Sequence, residues 1–494
     1  MVFVTVSATK KVDKPGKPCD EGVTSIKQGN VTLTFKDPTE VLENFQGNHF
    51  IKGPVTVAAI DPPPTGEDAL RRHGAMVNPS HYLQQSMDGR FTSYNTDDDY
   101  EIGTVLSPGD SLLCSISRHP DEDLAFLLAE GGGGNPLGIS EYQIFTVVDD
   151  LPANPETFIP AVCGTEKPIF TVADVNLDLL PRYATTFNDV TIGEGPNGGI
   201  KLDDTMHAGC HKWLVFQGGD NHALSGVQQS DVQNWYPSGM AGYTNRLAVY
   251  CMTDLALTEE MALRLVQFGI QQRGVAKMEG WSEAFGAGYG AARQLPIMFA
   301  GWLLEDGAFL TEAQVNNANE KYPPSFQYYY SQEPYDGYPD IANWERGFPM
   351  FGDHNDPAFF GANNSTRDPT GKYVACSGIG SDPGYAEGGV RYQAVDADHP
   401  YYAQGGSYLI LSAQGHVGAR LWSGLARMDD EWGGDKAWID FCDWFHHDRL
   451  LAFSPNDANI GNDANPYYHD IRQSGGVGNG FMLEMWTTYG PFNT

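Results

Sequence analysis

The chain has 494 residues and a formal net charge of −33, from 63 acidic against 30 basic side chains. That excess argues against nucleic acid and anionic membrane surfaces as partners, because the protein's own field repels polyanions. With 41% hydrophobic and 12% aromatic residues the chain can bury real cores, and its length predicts two or three domains.

Residues 1–11 do not read as a secretory signal: the apolar run is short, and Lys10 and Lys11 follow it instead of preceding it. No stretch approaches the ~18 apolar residues of a membrane-spanning helix. Val31, Leu33 and Phe35 alternate with Thr32 and Thr34, the period of a half-buried strand. Further strands are predicted over residues 53–60, 110–117 and 141–148, the first of them stopped by Asp61, Pro62, Pro63 and Pro64. Short strands between Gly, Pro and Asp punctuation predict an antiparallel β-sandwich over residues 1–165. Within it Gly131–Gly134 reads as a flexible loop. Residues 95–101 read as an exposed acidic turn, lacking the spacing and Gly of an EF-hand. Residues 149–155 read as the start of a linker.

The character changes over residues 166–494. His207 and His211 stand four apart beside Cys210, but Gly209 disfavours a helix and no Glu accompanies them, so no metal is assigned. Residues 219–246 then gather an amide, an imidazole, a phenol and a guanidinium among aromatic rings: Asn221, His222, Gln228, Trp235, Tyr236, Tyr243 and Arg246. An amide and a guanidinium offset the charge of a uronate carboxylate. An imidazole or phenolate removes the proton at C5, and a phenol protonates the leaving oxygen. The same residue types also serve simply as packing and hydrogen-bonding groups. An acidic protein repels an acidic polymer at long range, so such a cleft requires clustered Arg; Arg246, Arg273, Arg293, Arg346 and Arg391 are the candidates.

Residues 258–274 predict a helix, with Thr258 as N-cap, acids in its first turn and Gly274 as terminator. Ala262, Leu265, Val266 and Gly269 share one face of it. Trp281 to Arg293 is glycine-rich without the dinucleotide-binding pattern, and no cofactor is expected. Trp281 and Arg293 join Gln228, Trp235 and Tyr236 as candidate substrate contacts. Residues 296–304 read as a buried helix with Pro296 in its first turn, which makes Trp302 core. Thr311 to Gln314 has the form of a capping box, and residues 408–422 and 435–445 predict further helices. Residues 278–294, 321–349, 352–406 and 453–478 read as long aromatic loops, whose Tyr328–Tyr330 and Tyr467–Tyr468 can stack on sugar faces or pin the loops down. Helices alternating with such loops predict an (α/α) toroid with a cleft at one end. Seven cysteines of irregular spacing predict mostly unpaired thiols.

Asp220, Asn221 and His222, with Gln228 six positions after the His, resemble the Asn-Asn-His…Gln pattern of the helical-toroid polysaccharide lyases of the alginate-lyase and heparinase type, with Asp220 where that pattern has Asn. The resemblance covers about two-thirds of the chain in architecture and a dozen residues in motif. It implies cleavage of an acidic polysaccharide by β-elimination, with Asn221, His222, Tyr243 and Arg246 at the uronate. It also implies that the N-terminal part is an accessory β domain.

Two other readings stay open. One is a glycoside hydrolase on the same scaffold, using two carboxylates among Glu283, Glu305, Asp340 and Glu345 held about 5–9.5 Å apart. The other is a non-catalytic recognition protein, such as a phage tail component that grips a host surface polysaccharide. Polysaccharide is the expected partner in all three, a homo-oligomer or virion assembly is open, and the expected setting is extracellular or on a virion.

Overall fold

A computed structural model of the chain describes residues 22–64, 73–80, 96–117, 139–186, 237–277, 287–313, 327–330, 349–352, 406–432, 439, 442–443 and 480–490. The chain divides into two compact units, one of Met1–Ser80 with Gln84–Asp174 and one of His81–Leu83 with Val175–Thr494. β-sheets lie in the first part and helices in the later part.

In the first unit the strands are β1 (Val23–Gln28), β2 (Val31–Thr39), β3 (Val41–Glu43), β4 (His49–Lys52), β5 (Val55–Asp61), β6 (Ala75–Val77), β7 (Val105–Leu106), β8 (Ser111–Ser117) and β9 (Ile139–Val148). They form a four-stranded sheet, β1-β2-β5-β7, and a five-stranded sheet, β3-β4-β9-β8-β6. β1 and β2 make a hairpin closed by Gly29 and Asn30, and Gly29 takes the positive φ of 55° that this tight loop requires. Val31, Leu33 and Phe35 all face the core, as their alternation predicts. β5 looks irregular in sequence, since Val55, Val57 and Ile60 are all buried despite the odd step. The register explains it: Thr34 opposes Ala59 but Phe35 opposes Val57, so Ala58 is an extra residue that returns Ile60 to the core face.

Both sheets feed one hydrophobic cluster, with Ile26, Leu33, Phe35 and Val57 from one and Ile51, Leu112, Phe145 and Val147 from the other. The pairing is not wholly antiparallel: β4 and β9 run parallel, His49 opposite Phe145 through Lys52 opposite Val148. Nor is the five-stranded sheet polar on its far face. Leu113, Tyr142 and Ile144 are buried as well, so β8 and β9 are covered on both faces, with polar Ser115, Gln143 and Thr146 buried among the apolar residues. Residues 155–172 fold back on this unit. The Phe45 amide donates to the Pro155 carbonyl (3.0 Å), Phe158 to Phe170 (2.9 Å) and Val172 to Glu156 (2.9 Å). The unit thus runs to Asp174, beyond the linker start read at 149–155 and the boundary read at 165.

The helices of the second unit are α1 (Pro237–Tyr250), α2 (Thr258–Ala276), α3 (Ala287–Leu303), α4 (Gly307–Ala313), α5 (Gly406–Ala426), α6 (Asp429–Trp432) and α7 (Gly480–Tyr489). α3 packs against α1, α2, α4 and α5. It begins nine residues before Pro296, so that proline lies inside the helix and not in its first turn. α2 crosses closely at this point: a Cβ on Gly269 would lie 2.1 Å from the Pro296 carbonyl oxygen. α3 ends with Glu305 at φ 51°, the Asp306 amide bonding back to Gly301 (2.9 Å) and the Glu305 amide to Trp302 (3.2 Å), a Schellman stop made without glycine. α4 starts at Gly307, where Asp306 accepts the Ala308 amide (2.8 Å) as its cap. Thr311 is therefore no capping-box residue; its hydroxyl bonds back to the Gly307 carbonyl (2.8 Å). Trp302 is core, edge-on to Phe299 and Trp422 with ring centroids 5.9 and 5.7 Å away.

The segment read as a loop over 321–349 contains a strand. β10 (Gln327–Tyr330) pairs antiparallel with β11 (Pro349–Gly352), setting Tyr328 opposite Phe351 and Tyr330 opposite Pro349. Consecutive tyrosines favour a pleated strand, and that preference prevails over the loop reading.

Candidate functional site

Of the residues singled out by the sequence, Asn221, His222, Gln228, Trp235, Tyr236 and Trp281 lie outside the described residues, as do His207, His211, Glu283, Asp340 and Glu345. Tyr243 and Arg246 stand on α1 and Arg293 on α3, two helices that pack together. Positions 243 and 246 are three apart, so they share a side of α1 one turn apart. Between them Thr244 and Asn245 are fully buried, while Arg246 is half-buried. Gly418 of α5 seats α1 at this level, since a Cβ there would fall 2.2 Å from Asn245 Nδ2.

The chain that leads toward the Asn221 segment is clamped by α7. Thr185 Oγ1 (3.0 Å) and the Thr186 amide (2.6 Å) both donate to Glu484. Tyr489 donates its hydroxyl to the Ala184 carbonyl (2.9 Å) and packs its ring against Tyr183, tilted at 40° with centroids 4.8 Å apart. Tyr183 in turn donates to the Leu425 carbonyl at the end of α5 (2.9 Å).

The interior of the helical unit is unusually polar. Asn245 of α1, Gln267, Gln271 and Gln272 of α2, Gln294 of α3, and His416, Arg420 and Ser423 of α5 are all buried. The spacing of four and three along α5 puts the last three on one face. Arg420 is 4% exposed and reaches two carboxylates, Nη1 to Asp429 at 2.7 Å and Nε to Asp443 at 3.1 Å. Ser423 donates a further hydrogen bond to Asp429 (2.6 Å). Beside it the Cys442 thiol is held well above its usual range by burial and by Asp443. Sequence reasoning passed over this cluster because Arg420, Asp429 and Asp443 follow no short spacing.

Two other cation sites are committed to the fold. Arg273, a candidate for the cleft, bonds Glu312 through Nε (2.7 Å) and lies 4.3 Å over the Phe309 ring, which ties α2 to α4. In the first unit Lys167 Nζ donates to the carbonyls of Ala161 (2.6 Å) and Val162 (2.9 Å). Burial pushes its pKa down to about 8, against the nearby Cys163 and Asp110, which act to raise it. Glu305, a candidate hydrolase carboxylate, is exposed at the end of α3 and accepts a hydrogen bond from Asn176 (3.1 Å). Residues 96–98 form a short 3-10 turn whose Asp98 accepts the Ser80 amide (2.9 Å).

Among the described residues, no group of three or more His, Cys, Asp or Glu side chains is placed to hold a metal ion. None of the helices over those residues is long and apolar enough to cross a membrane. No protein-family model, no curated protein and no solved structure matches the chain.

Proposed function

We propose that the chain is a carbohydrate-active enzyme, a polysaccharide lyase that cleaves an acidic polysaccharide by β-elimination in a helical unit of the (α/α) toroid kind. The observation that carries the reading is the run from Asn221 and His222 into α1, where positions 243 and 246 stand one turn apart. The sequence thus delivers an amide, an imidazole, a phenol and a guanidinium within 26 positions. A half-buried Arg246 suits a carboxylate partner, because partial desolvation strengthens a guanidinium–carboxylate contact.

In the reaction so assigned, Arg246 and Asn221 take the charge of the uronate carboxylate and make the C5 proton acidic. His222 or Tyr243 removes that proton, and the phenol of Tyr243 returns one to the departing glycosidic oxygen. The C–O bond breaks as the ring double bond forms, which leaves an unsaturated uronide at the new end.

Ultraviolet absorbance during incubation with a panel of acidic polysaccharides tests this directly. A lyase produces the rising band of the unsaturated product. Reducing ends without that band indicate a hydrolase, and binding with neither indicates a recognition protein; either outcome refutes the proposal.

A further inference from the structure

Residues 176–186 form a strap that runs over the ends of α3, α2, α1 and α5 before it meets α7. The Asn176 amide donates to the Leu303 carbonyl at the end of α3 (2.7 Å). Arg182 reaches the start of α2, with Nη1 to Thr258 Oγ1 (2.7 Å) and Nη2 to Glu259 (2.8 Å). The Tyr183 amide donates to the Met252 carbonyl just beyond α1 (2.8 Å), and the Asp254 amide donates back to the Tyr183 carbonyl (3.0 Å). The Tyr183 hydroxyl donates to Leu425 near the end of α5 (2.9 Å). Carbonyls at helix ends need donors from outside the helix, and the strap supplies them.

The last residues of the strap are held differently. Ala184 and Thr186 are exposed, so burial does little to fix them. Their described bonds run to α7: Thr185 Oγ1 (3.0 Å), the Thr186 amide (2.6 Å) and the Thr186 hydroxyl all donate to the Glu484 carboxylate, and Tyr489 donates to the Ala184 carbonyl (2.9 Å). An ionised carboxylate only accepts, whereas a protonated one turns an O–H toward those donors. The other titratable groups at this place are Tyr489 on α7, Arg182 and Tyr183 on the strap, and Arg427 beyond α5, which acts on Tyr183. Tyrosine and arginine keep their protons in acid. Glu259 does titrate there, but Thr258 holds Arg182 whatever its charge.

We propose that Glu484 is an acid-sensitive latch: as a carboxylate it fastens Ala184–Thr186 to α7, and on protonation it releases that end of the strap while the bonds at Asn176 and Tyr183 stay closed. This holds whatever the helical unit acts on. Burial acts to raise the Glu484 carboxyl, but the hydrogen bonds from Thr186 and Thr185 outweigh it and leave its pKa below the ordinary value. A depressed folded pKa sets the sign. The latch holds in full above the ordinary value of about 4.3 and is lost as pH falls through the folded one.

Amide hydrogen exchange at single-residue resolution tests this on full-length wild type, Glu484→Gln and Glu259→Gln. Protection is compared at about pH 6.5 and about pH 3, on either side of the ordinary Glu value, after correction for the intrinsic effect of pH on exchange. In the wild type, protection of the Thr186 amide is expected to fall at least about tenfold in acid, while the Tyr183 and Asp254 amides keep theirs. Glu484→Gln is expected to show the low Thr186 protection already at the higher pH and no further fall, and Glu259→Gln to behave as wild type. Equal wild-type protection of Thr186 at both pH values overturns the proposal. So does a Glu484→Gln protein that protects Thr186 as wild type does or still loses protection in acid, because another group then holds the strap. Loss at Tyr183 and Asp254 together with Thr186 also overturns it, because the unit then opens as a whole. If Glu484→Gln does not fold, the wild-type contrast between Thr186 and Tyr183 decides alone.

Discussion

At the residue scale the proposed reaction turns on His222 and Tyr243. General acid–base groups contribute about 10²–10⁴-fold to rate. His222→Ala and Tyr243→Phe are each expected to lower turnover by that order while the unfolding midpoint stays put. Unchanged turnover, or a fall in stability without any activity to lose, marks them as packing residues. The cysteines make a second residue-scale prediction. Cys114, Cys163, Cys251 and Cys442 are free and buried, and burial pushes all four thiols up. They are expected to resist a thiol reagent at about pH 8 in the native protein and to react on denaturation; rapid native labelling of any of these four, located by peptide mapping, contradicts the burial. The sign of the linked pH dependence follows. A folded thiol that keeps its proton favours the fold only below the ordinary thiol pKa, so the midpoint falls as pH rises past about 8.5. Lys167, pushed down to about 8, acts in the opposite sense between there and its ordinary value, one group against four.

At the element scale the helical unit depends on close helix crossings. Gly269 on α2 would place a Cβ 2.1 Å from the Pro296 carbonyl, and Gly418 on α5 would place one 2.2 Å from Asn245 Nδ2. Helix propensity alone favours Ala over Gly by about 1 kcal/mol. Overpacking against backbone costs about 1–3 kcal/mol and prevails. Gly269→Ala is therefore expected to destabilise by about 1–2 kcal/mol in urea; a gain in stability disproves the crossing. Arg420 is the other staple, since it joins α5 to α6 and to Asp443. Arg420→Met strands two carboxylates. Breaking a buried pair costs about 3–5 kcal/mol, but Asp429 keeps a 33% exposed side chain, which lowers the expectation to about 2–3 kcal/mol. A loss under about 0.5 kcal/mol by denaturant titration, the usual effect of a surface change, shows that the cluster is not a staple.

At the scale of the whole molecule the net charge of −33 dominates. Self-repulsion of that size opposes the compact state, and salt screens it, with a Debye length of about 10 Å at 0.1 M. Raising sodium chloride from about 0.05 to 0.5 M is expected to raise the melting temperature; a fall places the balance with ion pairs such as Arg273–Glu312 and Arg420–Asp429 instead. The same charge acts on function. The acidic polymer of the proposed function would be repelled at distance, so its binding would rely on short-range groups such as the Arg246 guanidinium.

The class of each half was legible in the sequence, because burial imposes its period on the residues. Val31, Leu33 and Phe35 announced a strand, and Ala262, Leu265 and Val266 announced a helix, from spacing alone. Trp302 read as core because the helix around it is apolar on all sides. Other features needed partners distant in the chain. Ala58 bulges only because β2 lies beside it, and β4 runs parallel to β9 although 139 and 49 are far apart in sequence. Residues 149–155 read as the start of a linker and residues 166–172 as part of the toroid, until hydrogen bonds of 155–172 to Phe45 and to one another joined them to the β unit. Pro296 looked like a helix start because proline in a helix usually stands in the first turn, but the structure places it inside α3, where the close approach of Gly269 on α2 sets the crossing. At the candidate site, residue chemistry named Tyr243, Arg246 and Arg293, and the structure shows that the helices carrying them, α1 and α3, pack together. A sequence records which groups are present; whether a buried acceptor has met a donor is a matter of a few ångströms between segments that no spacing encodes.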